Sequence, residues 1–143
     1  MSAGSVRDLF DRWERVWHEG QHSLVAECVA PVYLRHDETG ARQVAPEADA
    51  SEIAAAQWER PNTRFVVYDH EIAEDRVWFR FTLMWNDAST GEKRTRAGTQ
   101  EYRIEAGKLA ETWLTLLSIG SAWPDVARQE RWTSKRAIAS LGG

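Results

Sequence analysis

The stretch Arg94-Thr95-Arg96-Ala97-Gly98-Thr99-Gln100-Glu101-Tyr102-Arg103-Ile104-Glu105, then Ala106-Gly107, then Lys108-Leu109-Ala110-Glu111-Thr112-Trp113-Leu114-Thr115-Leu116-Leu117-Ser118, decides the fold class. Two strand-like runs joined by a tight turn predict a hairpin. Upstream, Val77 to Trp85 is the clearest strand, rich in aromatic and β-branched residues. Phe65 to about Ala73 is another, with a turn at Glu74-Asp75 between the two. Asn86-Asp87 and Ser89-Thr90-Gly91 turn the chain toward the hairpin.

Ahead of these strands the period is helical. Val6, Leu9, Phe10, Trp13, Val16 and Trp17 recur at spacings of three and four, and Gly20 ends the run. Ser23 opens a shorter helix through Val25 and Cys28, stopped by Pro31. Val32 to Asp37 reads as a strand, Glu38-Thr39-Gly40 as a turn, and Pro46 to Trp58 as a third helix. Trp123-Pro124-Asp125 opens a segment predicted helical to about Ala139. Helices followed by strands with tight connections give an α+β fold, with about three helices on the concave face of a curved antiparallel sheet. So few strands cannot close on themselves, which leaves a conical cavity suited to a small molecule.

Composition narrows the function. The 143 residues form one domain, with a core at about 6–120 and a partly helical extension at 121–143. No apolar run approaches a membrane span, and the N-terminus carries no secretory pattern, so the expected compartment is the cytoplasm. Lone Cys28 excludes an internal disulfide and multi-cysteine metal sites. A net charge of −4 with both signs interspersed offers no basic stripe for nucleic acid. Lys93-Arg94-Thr95-Arg96 is short and reads as a solvated hairpin end. No metal or cofactor motif occurs, and His18, His22 and His70 stand among charged neighbours as solvated side chains. Eight tryptophans imply broad aromatic walls, in the core, at an interface or around a ligand.

In order and spacing, three stretches resemble the nuclear transport factor two-like superfamily, and within it the SnoaL-like polyketide cyclases and ketosteroid-isomerase-like proteins. These are helix 6–19 with Trp13 and Trp17, the strand Ala30-Pro31-Val32-Tyr33-Leu34-Arg35-His36-Asp37, and the hairpin Arg96 to Trp113 with its Glu105-Ala106-Gly107-Lys108-Leu109 turn. The resemblance implies a cone-shaped, cystatin-like α+β barrel, a homodimer covering the outer sheet face, and no cofactor. The architecture hosts several chemistries and also binders, so the reaction must come from the site.

The resemblance assigns the general base to the last position of the first strand, Asp37. Alternation points the other way, because Val32 and Leu34 share a face with His36. Either residue suits proton abstraction next to a carbonyl, and either also suits a local role in the turn. The face Glu111, Trp113, Thr115 and Leu117 is the concave one by resemblance, opposite Gln100 and Tyr102, which would donate to a substrate oxygen. Tyr33, Trp13, Trp17 and Trp58 complete the candidate ligand-binding set. For strand 77–85 the pattern does not choose which face lines the pocket. No carboxylate occurs between Trp113 and Ile119, so the acid of epoxide-opening relatives is missing. The expectation is a small cofactor-independent enzyme that binds a hydrophobic carbonyl compound and moves a proton in isomerisation, cyclisation or dehydration. The alternative is a non-catalytic binding or accessory domain with the same cavity.

Overall fold

The computed structural model describes residues 3–134. Helix α1 (Ala3–Glu19) leads to a 3₁₀ turn (His22–Leu24) and the single turn α2 (Val25–Cys28). Strands β1 (Val29–Asp37) and β2 (Gly40–Val44) form a hairpin, followed by α3 (Pro46–Glu59). Then come β3 (Arg64–Ala73), β4 (Arg76–Asn86), β5 (Lys93–Glu105) and β6 (Lys108–Leu116). The order across the sheet is β2-β1-β6-β5-β4-β3. The α+β class and the helices packed on a curved, unclosed sheet agree with the sequence reading.

Two features of the sheet differ from it. β1 runs parallel to β6, so the sheet is mixed rather than wholly antiparallel. Gly40–Val44 pairs with β1 as a strand, although only Val44 is buried and no hydrophobic alternation marks it. Pro31 sits inside β1 rather than stopping a helix. It falls in the interval between the Val29–Leu109 and Leu34–Glu111 pairs where the ladder is interrupted, so its missing N–H breaks no bond.

The core lies between α1 and the inner sheet face. Val6, Leu9, Phe10, Trp13 and Val16 are almost wholly buried, each worth roughly 1.5–3 kcal/mol. Phe10 packs edge-on against Phe79 at 5.0 Å and Tyr102 at 5.2 Å. Gly20, at φ +68°, supplies the left-handed residue that ends α1. Val77, Phe79, Phe81, Leu83 and Trp85 are the inward residues of β4, the choice that sequence alone left open. Gly98 permits close packing of β5 on β6, since a Cβ there would stand 2.9 Å from the Thr115 carbonyl.

The expected C-terminal helix is absent over 121–134, and residues 135–143 lie outside the described residues. Residues 117–134 instead form a strap over the outer face of β5 and β4. The Trp123 indole N–H donates to the Gly98 carbonyl (3.2 Å), and Asp125 makes a two-pronged pair with Arg80 (2.7 and 2.9 Å). The strap then rounds the β3 edge, where the Gln129 N–H donates to the Val67 carbonyl at 2.8 Å. Trp132 enters the core beside Phe65 and Phe79. Trp123, Ala127 and Trp132 thus serve separate surfaces, and Pro124 withholds a helical donor. No helix among the described residues is long and apolar enough to cross a membrane.

Candidate functional site

A cavity of about 200 Å³ lies between the helices and the inner sheet face. Trp13, Trp17, Ile53, Phe65, Leu114 and Trp132 supply apolar wall. Tyr33, Arg35, Asp37, Asp49, Gln100 and Tyr102 supply the polar part. On β1 the inward residues are Tyr33, Arg35 and Asp37, while Val32 is 60% exposed. The Val32-Leu34-His36 alternation therefore marks the outer face.

His36 lies outside the cavity. Its ring stacks on Trp113, its neighbour in the parallel register, at 5.3 Å and 2° between planes. Its Nε2 meets Glu111 at 2.7 Å, and Arg103 donates to the other oxygen of that carboxylate at 3.1 Å. Trp113 and Thr115 accompany it on the outer face, which corrects the expected orientation of β6. The cause is a bulge: Arg103 pairs with Glu111 and Ile104 with Leu109, leaving Ala110 as the extra residue and turning Thr112, Leu114 and Leu116 inward. Trp58 is 85% exposed, because it lies five residues beyond buried Ile53 and off its helical stripe.

Asp37 borders the cavity, but its carboxylate is occupied locally. It accepts from the Thr39 N–H (2.9 Å) and hydroxyl (2.5 Å) and faces Arg35 (3.7 Å) and Arg42 (3.9 Å). Partial burial pushes its pKa up, but the Thr39 hydrogen bonds and the two arginines outweigh that and hold it below the usual value. This is the turn-capping role.

The unanticipated residue is Asp49. Two aligned arginines, Arg35 on β1 and its β2 partner Arg42, face Asp49 and Glu52 on α3. Arg35 donates to Asp49 Oδ1 at 3.1 Å, and Arg42 grips Glu52 through both nitrogens at 3.1 and 2.7 Å. With Asp37, three carboxyls share two guanidinium groups. Asp49 is the most buried of the three, at 1% exposure, and its Oδ2 has no partner. Burial therefore dominates over Arg35 and pushes its pKa up to about 6. Asp49, Ile53 and Ala56 all line the cavity, a helical stripe with an acid in it; that spacing was the available signal.

Some of the cavity's other polar groups pair with one another. The Trp13 indole N–H donates to the Tyr102 hydroxyl at 3.1 Å. Gln100 Nε2 donates to the Thr112 hydroxyl at 3.0 Å, and that hydroxyl donates to the Glu101 carbonyl at 2.9 Å. Burial pushes the Tyr33 and Tyr102 phenols above their ordinary range, so they remain neutral. The histidines expected in solvent also have partners: His22 meets Gln57, His70 meets Gln129, and His18 Nε2 accepts the Phe65 N–H at 3.0 Å. Burial, then Arg64 and Arg131, push the His18 pKa down to about 4.

No protein-family model matches the chain, and no curated protein matches its sequence. Solved structures match its shape. A SnoaL-like polyketide cyclase from Agrobacterium tumefaciens superposes with a TM-score of 0.68 at 13% identity, covering 77% of this chain and 89% of its own. TsrD from Streptomyces laurentii gives 0.71 at 16% identity, with 81% and 90% covered. A protein of ketosteroid-isomerase-like fold from Catenulispora acidiphila, in complex with trimethylamine, gives 0.64 at 12%, with 76% and 84% covered. The chain shares the fold of these SnoaL-like and ketosteroid-isomerase-like structures.

The raised Asp49 pKa fixes a sign. Between about pH 4 and 6 the folded state holds a proton that the unfolded state has released, so this group's contribution to stability falls as pH rises through that window. His18, with its pKa depressed, acts in the opposite sense and cancels when native protein is compared with Asp49→Asn. Denaturant titrations should find the native protein more stable relative to the variant at pH 4 than at pH 7, by roughly 2–3 kcal/mol. A pH-independent difference would show that Asp49 titrates like a free carboxyl.

Proposed function

We propose that this chain is a small enzyme of the SnoaL-like type that moves a proton on a compact, neutral, carbonyl-bearing hydrophobic molecule. The observation that carries the reading is a carboxyl with a pKa of about 6 on the wall of a largely apolar cavity. At neutral pH such a group is mostly ionised yet returns a proton readily, as general base catalysis requires. Asp49 takes a proton from the carbon next to the carbonyl, and the C–H electron pair moves into an enolate. The same carboxyl then delivers the proton to another position. Asp49 holds this role in preference to Asp37, which is tied to Thr39, and to His36, which faces away from the cavity. Tyr33, Gln100 and Tyr102 form a rigid polar floor beside it.

Homodimerisation through the outer sheet face belongs to the same proposal. Trp113 is sandwiched there between His36 and the Arg76 guanidinium, 5.1 Å from its ring. Arg76 and Arg103 alternate with Glu101 and Glu111, an arrangement that a two-fold axis makes self-complementary.

Two measurements test these statements. In D₂O, the native protein should speed hydrogen exchange at the α-carbons of 2-tetralone above buffer, with Asp49→Asn losing about 10²-fold or more and Asp37→Asn under tenfold. Equal exchange in native protein, Asp49→Asn and buffer would leave a non-catalytic binding domain. In sedimentation velocity at micromolar concentration the native chain should run as a dimer and Trp113→Glu as a monomer; a native monomer removes the dimer.

A further inference from the structure

Among the described residues, four buried side-chain polar atoms lack a hydrogen-bond partner: Arg12 Nε, Arg42 Nε, Asp49 Oδ2 and Trp132 Nε1. Neither arginine lines the cavity; Asp49 and Trp132 both do. One is an acceptor and the other a donor. A buried N–H with no partner is costly, and the rest of the indole would pack as well without it. None of the described residues supplies its partner.

Some of the other donors of the cavity wall are committed. Trp13 gives its N–H to Tyr102, and Gln100 gives one to Thr112. Arg35 is engaged by Asp49, Asp37 and Glu52. Trp132 is also held rigidly. Its backbone N–H donates to Glu14 at 3.1 Å, and its carbonyl accepts from Gln129 Nε2 at 2.8 Å. Its ring packs edge-on against His18 at 5.3 Å and Phe65 at 5.6 Å.

We propose that Trp132, carried by the C-terminal strap, is a ligand-directed donor of this cavity, its indole N–H binding the oxygen of a neutral carbonyl compound. The proposal deepens the proton-transfer reading and rests on the same cavity. Neutrality fits the wall: Asp37, Glu38 and Asp49 stand against Arg35 and Arg60, so the charges largely offset, and a cation has no use for an N–H donor. The strap, outside the helix-and-sheet core, thereby becomes part of the binding site. Trp132 binds and orients; Asp49 handles the proton.

The test uses ¹⁵N-labelled full-length protein, with the Trp132 indole resonance assigned by triple-resonance spectroscopy, and two probes of one shape, 2-tetralone and tetralin. The ketone should move that resonance downfield, and tetralin should bind without doing so. Trp132→Phe, which keeps the ring bulk, should lower the preference for ketone over hydrocarbon about fivefold. The resonance shift needs no variant, so a poorly folded Trp132→Phe leaves the test intact. Binding of 2-tetralone with an unmoved indole resonance overturns this inference and leaves the role of Asp49 standing. A moved resonance together with unchanged exchange in Asp49→Asn supports the donor and sinks the proton-transfer reading. Failure of both probes to bind overturns both.

Discussion

Three carboxyls facing two guanidinium groups, with one carboxyl withdrawn from water, is the constraint on which the site depends. Arg42 satisfies Glu52 through two short bonds, and Asp37 is held by its own turn. Arg35 is left to serve Asp49 through a single bond. An ion pair at the surface is worth little, but the same pair with one member buried shifts the proton balance of that member. The β1–β2 hairpin and α3 therefore do more than cover one end of the sheet. Together they set the acidity of Asp49 on the cavity wall.

The sheet supports this by giving its two faces different work. Inward residues of β4, β5 and β6 present Leu83, Gln100, Tyr102 and Leu114 to the cavity. Outward residues carry the His36–Trp113–Arg76 stack and the Arg80–Asp125 pair that anchors the strap. Each strand contributes to both because its side chains alternate. The single extra residue at Ala110 decides which of β6's residues go where. Without that bulge Trp113 would face the cavity and Leu114 would face out.

This explains what the sequence revealed and what it concealed. The α1 stripe, the β3–β6 succession and the Ala106-Gly107 turn were legible because each rests on a local period or a two-residue conformation. The outward turn of Trp113 and Thr115 was not, since a bulge leaves no mark in the pattern it shifts. Val32 and Leu34 misled in a different way: they are apolar but belong to the outer face, whereas inward Arg35 and Asp37 are charged because they serve the cavity. Asp49 was hidden by composition, in a helix whose buried stripe is an acid, one isoleucine and an alanine. Trp58, being large and aromatic, drew attention to the wrong face of that helix. The strap has no period at all, and its anchors are isolated contacts with strands far away in sequence.

The central claim is that Asp49 keeps its proton to near-neutral pH inside the cavity. Difference infrared spectroscopy across a pH titration, comparing native protein with Asp49→Asn, observes this directly through the carbonyl stretch of the protonated carboxyl. The account predicts a band that is lost in the variant and that titrates in the native protein with a midpoint near 6. An Asp49 band that disappears together with the exposed carboxyls, in the ordinary carboxylate range, would contradict it.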